Sequence, residues 1–489
     1  MKRLISYLFL FSVLTVPLFA DNTEGYKIKL KINGIPNKQV ILGHYLSKSM
    51  YPDDTVTLDN KGYGTFSGNR KLPVGMYLVY LPNSSYFDLA IGDDQDFSVT
   101  ADTVDFLKSL VFEGSKENQV FMEFQRFFSM LRKQADSISL QLKATNDPGQ
   151  KEKLNSALKE VNEQRIKKIE SIKAQNPDLF VSDFLRATLD VTVPDPPRNE
   201  KGAIIDSNWQ YYYYRAHYFD NFDYKDPRLL RTPFYEDKLM NFLNKVLPQI
   251  PDTLILYVDK FIEESRSDSN LFRYMLITLF SHYGKSNIMG MDAVQVHIAD
   301  KYYIRESWWS DAKFLADLKE RTEKAKPLLI GAIAPDAELM AVPAEHFKNA
   351  ANDTALRKYP HVGQKINLRQ VPAKYLVLLF WEADCGHCKV AVPELYGIYE
   401  KSLKNMNVQV LAVSTLFGEE GKEKWVDFVN QHGLYDWINA WNPYSYDFKL
   451  RYDVLTTPQI YILDENKKII AKKISPEQVE EIIKALSKS

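Results

Sequence analysis

The sequence predicts a multidomain protein with an N-terminal antiparallel β-sandwich, an all-α middle region and a C-terminal α/β domain. The chain has 489 residues, and a length of about 150 residues per domain suggests roughly three domains. Apolar residues alternate with period two near the N-terminus and change to helical spacing after Glu113-Gly114. Beyond about residue 332, strand-like and helical segments follow one another.

Composition excludes several classes of protein. Hydrophobic residues make up 45% of the chain and charged residues 26%, which fits neither a disordered chain nor a polytopic membrane protein. The 62 lysines and arginines nearly balance the 63 aspartates and glutamates, so the formal net charge is −1. Because the chain has no long basic run, we expect no nucleic-acid partner.

The first twenty residues predict export. Met1-Lys2-Arg3 is a basic start, residues 4–19 are apolar, and Ala20 precedes the polar Asp21-Asn22. This order is typical of a secretory signal peptide over residues 1–20. A retained membrane anchor is the disfavoured alternative, because the stretch is short for a bilayer span. No cysteine lies near its end, so we expect an exported periplasmic or cell-envelope protein that is not a lipoprotein.

Residues 21–114 predict the β-sandwich. Segments 26–32, 39–45 and 76–81 are rich in β-branched, aromatic and other apolar residues, and turn residues such as Asn33-Gly34 separate them. Short alternating segments with turn signals between them are typical of antiparallel strands.

Residues 115–326 predict the helical domain. Ser115 is placed to cap a helix, and Asp147-Pro148-Gly149 breaks the helical pattern. The apolar face of that first helix is formed by Val120, Phe121, Phe124, Phe127, Phe128 and Leu131. Further helical stretches continue to about Lys324, and residues 327–334 resemble a short connector.

Residues 332–489 predict the α/β domain. Segments 374–381 and 407–415 are almost continuously apolar, as expected of central strands covered on both faces. Residues 459–463 and 469–471 predict a hairpin. Ser475, followed by Gln478 three positions later, predicts the capping box of a final helix.

The chain contains only two cysteines, Cys385 and Cys388, at the end of the first apolar segment. A strand that leads into Cys-Gly-His-Cys and then a helix places Cys385 at a helix N-terminus, where a thiolate is stabilised. Cys388, one turn later, can attack a mixed disulfide on Cys385. Between them, Gly386 completes the loop and His387 can lend positive charge to the thiolate, which makes the disulfide more oxidising.

Three other interpretations of the cysteine pair are weaker. A zinc site needs two further ligands, and the histidines are scattered, so we expect no metal. A purely structural disulfide would close a very small loop. A chance pair in a reducing compartment conflicts with the export signal. The sequence therefore predicts a redox-active dithiol that needs no cofactor.

The stretch from Phe380 to Lys389, Phe-Trp-Glu-Ala-Asp-Cys-Gly-His-Cys-Lys, resembles the active-site stretch of thioredoxins. Pro393 lies where that family has its kinking proline, and Thr456-Thr457-Pro458 resembles its cis-proline loop. The resemblance implies a thioredoxin fold over residues 332–489, catalytic cysteines supported by Trp381, and substrate binding at Thr457 and Pro458.

Within that superfamily, Ile333-Ala334-Pro335-Asp336 looks most like the start of exported bacterial, TlpA-like thiol–disulfide oxidoreductases. The two preceding regions loosely resemble the extension domains found before such thioredoxins in Bacteroidetes-type proteins.

Three positions depart from the thioredoxin pattern. Leu379 occupies the place of a buried aspartate that assists deprotonation of the second cysteine. Asp384 replaces the tryptophan before the first cysteine, and its charge should oppose thiolate formation. Glu382 is either a substitute proton acceptor or a solvated surface carboxylate, and the second interpretation is favoured. Glu382 also disfavours a peroxiredoxin, which has threonine or serine at that position.

These observations predict an exported thiol–disulfide oxidoreductase that exchanges the Cys385–Cys388 pair with cell-envelope proteins. Its partners would be exported or membrane proteins with cysteines and a membrane electron donor. Because His387 and Asp384 act in opposite directions, we expect a potential between about −270 and −180 mV and reductase action. The alternative is a cell-envelope polypeptide- or glycan-binding protein in which the thioredoxin domain is a docking module. The sequence predicts no oligomeric state.

Overall fold

The structure is a computed structural model, and it describes residues 25–349, 356 and 362–488. The predicted signal peptide, residues 1–20, lies outside the described residues. The chain divides into two compact units, Met1–Val246 and Leu247–Ser489, and helices of residues 115–326 contribute to both. Among the helices described, none is long and apolar enough to span a bilayer.

The first unit begins with two four-stranded sheets, ordered β4-β1-β7-β8 and β3-β2-β5-β6. Their strands are β1 (Tyr26–Asn33), β2 (Gln39–Leu46), β3 (Ser49–Thr57), β4 (Tyr63–Gly68), β5 (Gly75–Tyr80), β6 (Tyr86–Ile91), β7 (Asp96–Asp102) and β8 (Val111–Glu113). Residues from both sheets, such as Ile28 and Leu42, share one buried core. The predicted sandwich is confirmed.

One strand pair departs from the antiparallel pattern. β1 and β7 run parallel, with Lys27 opposite Asp96. Parallel neighbours need a long crossover connection, and the whole second sheet lies between these two strands in the chain. Alternating residues predict strands but do not predict which distant strands will become neighbours.

The helices of the first unit are Phe106–Ser109, Lys116–Ala144, Pro148–Gln175, Phe180–Ala187, Trp209–His217, Pro227–Leu230 and Tyr235–Asn241. As predicted, Ser115 caps the second of these, since its side chain accepts a hydrogen bond from the backbone N–H of Asn118. Asn118 itself is fully buried. Its side-chain amide both donates to and accepts from the backbone of Ala90 in β6, each at 2.8 Å. These two hydrogen bonds attach the helix to β6, which is an edge strand of its sheet.

The second unit begins with the helices Pro251–Glu264, Ser269–Gly284, Asp292–Ile298, Ile304–Glu306 and Ala312–Ala325. A seven-stranded sheet follows in the order β10-β9-β13-β12-β11-β14-β15. Its strands are β9 (Glu338–Val342), β10 (Gln364–Asn367), β11 (Tyr375–Trp381), β12 (Val408–Ser414), β13 (Ile438–Trp441), β14 (Gln459–Leu463) and β15 (Ile469–Lys472).

The helices that accompany this sheet are Ala344–Lys348, Cys388–Ile398, Gly418–His432, Asp447–Arg451 and Pro476–Leu486. β11, β12 and β13 are parallel, and all seven residues of β11 are buried. A strand that is covered on both faces buries all of its side chains. The continuously apolar segment 374–381 therefore correctly predicted a central strand. The predicted α/β thioredoxin fold is confirmed, and the capping box at Ser475 is present.

The segment between the last helix of the middle region and β9 is tied to the sheet. Gly331 N–H donates to the carbonyl of Ile469 at 2.8 Å, and Ile469 N–H donates to Ala332 at 2.9 Å. The side chain of Lys472, 8% exposed, forms a salt bridge with Asp292 and donates to the carbonyl of Leu328 at 2.6 Å. Residues 327–334 are thus part of the packed structure rather than a free connector.

Candidate functional site

The end of β11 anchors the cysteine loop. Trp381, the last residue of the strand, is fully buried, and its ring lies 4.9 Å from that of Phe428. Its carbonyl accepts a hydrogen bond from Thr415 N–H at 2.9 Å, which joins the loop to the end of β12. Trp381 therefore supports the loop from within the core. The loop leads into the helix that starts at Cys388.

Cys385 is the accessible cysteine of the pair. It is partly exposed, and its Sγ lies 3.2 Å from the carbonyl oxygen of Thr457. The Thr457–Pro458 peptide bond is cis, as the resemblance implied. Burial would raise the pKa of Cys385, but hydrogen bonds with Thr457 and with the backbone of Cys388 and His387 outweigh it. The pKa lies below the ordinary value for cysteine.

Cys388 is in a different environment. It is fully buried as the first residue of the helix. Its Sγ accepts a hydrogen bond from the backbone N–H of Glu382 at 3.5 Å. Burial raises the pKa of Cys388 to about 12 despite this contact. Because nucleophilic attack needs the thiolate, Cys385 is suited to attack a substrate and Cys388 is suited to react later, inside the site.

Gly386 and His387 lie on the open side of the loop, and both are exposed. A Cβ atom at Gly386 would meet nothing within 4 Å, so this glycine leaves room next to the reactive sulfur. His387 affects the pKa of Cys385 through a backbone hydrogen bond.

Glu382 is more constrained than expected. Its side chain is 28% exposed, and Oε1 accepts a hydrogen bond from the hydroxyl of Thr415 at 2.6 Å. Lys449 Nζ lies 3.5 Å from the same oxygen. Two side chains thus hold this carboxylate beside the loop that carries both cysteines, and its role in proton transfer stays a prediction.

Asp384 is paired as well. Its carboxylate lies 3.3 Å from Nζ of Lys424, which also binds Glu420 at 2.8 Å. Asp384 is 44% exposed, so water and Lys424 both reduce its effect on the neighbouring cysteine.

Sequence reasoning missed Thr415, Lys424 and Lys449. Thr415 is the last residue of the second apolar segment, and the carboxyl ends of parallel strands lie at one edge of a sheet. That position was an available signal. The two lysines carried none, because they lie within the helices Gly418–His432 and Asp447–Arg451 and not at the end of a strand.

Within the described part of the chain, no group of three or more histidine, cysteine, aspartate or glutamate side chains is arranged to hold a metal ion.

Comparison with protein families matches residues 330–472 to the AhpC/TSA family. Two further regions match families described only as domains of unknown function, residues 26–121 to DUF4369 and residues 156–326 to DUF5106. No curated protein matches the chain.

The chain is similar to several solved structures. A thioredoxin-like protein from Bacteroides caccae has 18% identity and a TM-score of 0.41, covering 61% of this chain and 99% of that chain. A domain of a possible thiol-disulfide isomerase from Cytophaga hutchinsonii has 31% identity and a TM-score of 0.27, covering 33% and 95%. The thioredoxin domain of a thiol-disulfide oxidoreductase from Bacteroides vulgatus has 20% identity and a TM-score of 0.26, covering 32% and 96%.

The family matches agree with the sheet order and with the position of the cysteine pair after its central strand. Residues 330–472 therefore form a thioredoxin-like domain that matches the AhpC/TSA family, and it is preceded by a region, residues 26–121, that matches DUF4369.

Proposed function

We propose that the protein is an exported thiol–disulfide oxidoreductase that exchanges the Cys385–Cys388 dithiol with disulfides of cell-envelope proteins. The observation that carries the proposal is the contrast between the two thiols. Cys385 is accessible with a lowered pKa, whereas Cys388 is buried with a pKa of about 12. The export part rests on the pattern of residues 1–20.

The reaction has two exchange steps. In the first, the Cys385 thiolate attacks one sulfur of the substrate disulfide. The substrate S–S bond breaks, a mixed disulfide forms on Cys385, and the other substrate sulfur leaves as a thiolate that takes a proton from water. In the second, Cys388 loses its proton and attacks the Cys385 sulfur. The Cys385–substrate bond breaks, and the substrate leaves with its second cysteine reduced to a thiol. The protein has lost two electrons and now contains a Cys385–Cys388 disulfide.

The second step needs a proton acceptor, because a thiol with a pKa near 12 is almost fully protonated at neutral pH. Glu382 supplies it in this proposal. Its backbone N–H contacts the Cys388 sulfur, and Thr415 and Lys449 hold its carboxylate in place. Leu379, inside the strand, has no acidic group. In this proposal the proton of the Cys388 thiol therefore passes to Glu382 in the loop.

Net reduction of substrates requires a dithiol donor at the membrane to return two electrons to the pair. We propose reductase action, with a potential between about −270 and −180 mV, because neither the exposed His387 nor the paired Asp384 moves the pair to the strongly oxidising end of the scale near −120 mV.

Reduction of insulin by the full chain, with dithiothreitol as the electron source, tests the proposed activity. Wild type should precipitate insulin faster than dithiothreitol alone, and Cys385→Ser should abolish the difference. Cys388→Ala should instead accumulate mixed disulfides on Cys385, and their identification would name the substrates. Insulin turnover no faster than with Cys385→Ser would exclude the oxidoreductase and leave the binding protein.

Glu382→Gln tests the proton acceptor in a reaction that separates the two steps. A small aromatic disulfide releases one coloured thiolate when Cys385 attacks and a second when Cys388 resolves. We expect the first phase to be unchanged and the second to slow by about a hundredfold, the lower end of general acid–base contributions. Glu419→Gln, an exposed glutamate on the helix Gly418–His432, is the matched control. An unchanged second phase would remove Glu382 from the mechanism.

A further inference from the structure

A groove of about 350 Å³ lies within the second unit, apart from the cysteine loop. Most of its wall comes from the middle-region helices, and one residue, Asp453, comes from the thioredoxin-like domain. The apolar part is formed by Phe280, Val296, Ala299, Phe314, Leu318 and Ala325. Polar residues, among them Arg321 and Lys324, complete it. We call this feature the helical groove.

The helical groove is linked to the loop beside the reactive sulfur by a short stretch of chain that begins at Asp453. Cys385 Sγ is 3.2 Å from the carbonyl oxygen of Thr457, and Asp453 is only four residues before Thr457 in the chain. Four residues span at most about 14 Å even when fully extended. A polypeptide whose disulfide is at Cys385 therefore needs only a few residues to reach the groove.

The charges around the groove favour an anionic group in its occupant. Lys324 is paired with Glu320 at 2.7 Å, and it also interacts with the charge of Asp453. Arg321 donates a hydrogen bond from Nε to the backbone carbonyl of Asp317 at 3.4 Å, and it forms no salt bridge with a described residue. An exposed guanidinium next to an apolar wall is suited to bind a carboxylate in a bidentate manner.

The volume limits the size of the occupant. It is at the lower end of the range of roughly 300–1,000 Å³ for small-ligand sites. The half-buried rings of Phe280 and Phe314 would meet one bulky apolar side chain. A folded domain does not fit, whereas one or two residues of an extended segment do.

We infer that the helical groove is a second recognition site for the polypeptide substrate, taking an apolar side chain against Phe280 and Phe314 and an adjacent carboxylate on Arg321. The inference rests on the proposed function, since the segment is recognised while its disulfide reacts at Cys385. An extended chain rises about 3.3 Å per residue. The bound of about 14 Å between Thr457 and Asp453, with a few ångströms more to cross the groove, corresponds to about four to six positions between the reacting cysteine and the two anchoring residues.

The test uses the reduced full chain and two synthetic peptides, each joined to glutathione by a mixed disulfide at a central cysteine. One peptide carries Phe-Glu five positions to either side of the cysteine, and the other carries Ser-Gln there. We expect the second-order rate constant for reduction to be at least tenfold higher for the Phe-Glu peptide. Equal rate constants for the two peptides would overturn the inference.

Arg321→Glu should remove most of the preference without changing the rate of reaction with hydroxyethyl disulfide, which is too small to reach the groove. Lys319→Glu makes the same charge change at another exposed position of the same helix and should keep the preference. A preference that survives Arg321→Glu would exclude the helical groove as its source. No reaction with hydroxyethyl disulfide or with either peptide would instead contradict the proposed function itself.

Discussion

Cys385 and Cys388 are three positions apart, yet the protein gives their sulfurs opposite proton affinities. Backbone hydrogen bonds and Thr457 lower the pKa of the first, whereas burial raises that of the second. The difference arises because Cys388, the first residue of the helix, is buried in the core, whereas Cys385 is partly exposed. Cys385 remains in the turn before the helix, with helix-terminal N–H groups directed at its sulfur.

This contrast predicts selective alkylation of the reduced protein by iodoacetamide. The rate for Cys385 should rise with pH through a midpoint below the ordinary cysteine value, because the thiolate is the reacting form. With a pKa of about 12 instead of 9.0, Cys388 has about a thousandth of an ordinary thiol's thiolate at neutral pH. It should stay unlabelled there. Mass spectrometry of the two sites checks this, and faster labelling of Cys388 would reverse the assigned roles.

The pairing of Asp384 with Lys424 predicts an asymmetric result for their substitutions. Asp384→Asn should change the pKa of Cys385 by less than about half a pH unit, because Lys424 and solvent already offset this carboxylate. Lys424→Gln leaves Asp384 unpaired and should raise that pKa, since a nearby negative charge disfavours the thiolate.

The double variant, Asp384→Asn with Lys424→Gln, should restore the wild-type value. Thiolate absorbance as a function of pH measures all three variants. A large decrease in the pKa with Asp384→Asn alone would show that the pair does not form in solution.

At the level of single residues, the sequence predicted the two cysteines but not the side chains that bind the carboxylates beside them. Cys-Gly-His-Cys after a buried strand was sufficient to place the thiols at a helix start. The partners of Glu382 and Asp384 could not be predicted. Lys449 and Lys424 lie on helices, and core packing determines which face of each helix is turned toward the cysteine loop.

Among the secondary-structure elements, the helix Lys116–Ala144 depends on one buried amide for its attachment to β6. Asn118 satisfies both backbone polar groups of Ala90, and an unsatisfied buried polar group costs about 1–3 kcal/mol. Asn118→Leu should therefore lower the free energy of unfolding of the first unit by about 2–4 kcal/mol.

Urea unfolding followed by circular dichroism measures this loss. Gln119→Leu, at the next position of the same helix, is the comparison, because Gln119 is exposed and makes only one long hydrogen bond, 3.3 Å to the carbonyl of Phe112. Equal losses for the two variants would show that the Asn118 contact contributes no special stability.

For helices and strands, predictions from the local sequence were reliable where a residue forms hydrogen bonds with residues close to it in the chain. Ser115 and Ser475 cap their helices as predicted, since a cap depends on atoms within one turn. Local signals did not indicate the parallel β1–β7 pair or the hydrogen bonds that residues 327–334 make with β15, because both depend on backbone groups supplied by distant segments.

At the scale of the whole molecule, Lys472 links the thioredoxin-like domain to the helices that precede it in the chain. Its partners, Asp292 and the carbonyl of Leu328, precede residue 332. A fragment of residues 332–489 therefore retains Lys472 without either partner, whereas residues 247–489 retain both. We expect both fragments to fold, with the longer one more stable.

Lys472→Met should separate the two fragments. In residues 247–489 it should lower the free energy of unfolding by about 1–2 kcal/mol, because a hydrogen-bonded ion pair is lost. In residues 332–489 it should be nearly neutral, because neither partner of Lys472 is present in that fragment. Urea titration of the four proteins checks this, and equal effects in both fragments would show that the helices do not support the sheet through Lys472.

The parallel pairing of β1 with β7 also affects the order in which the N-terminal sheets form. β1 is a central strand of its sheet, and nearly the entire second sheet must be synthesised before its β7 neighbour exists. Contacts between such distant segments carry a loop-closure cost and slow folding. Until β7 has been synthesised, the edge of β1 that pairs with it has no strand partner, so this half of the sheet cannot be completed early.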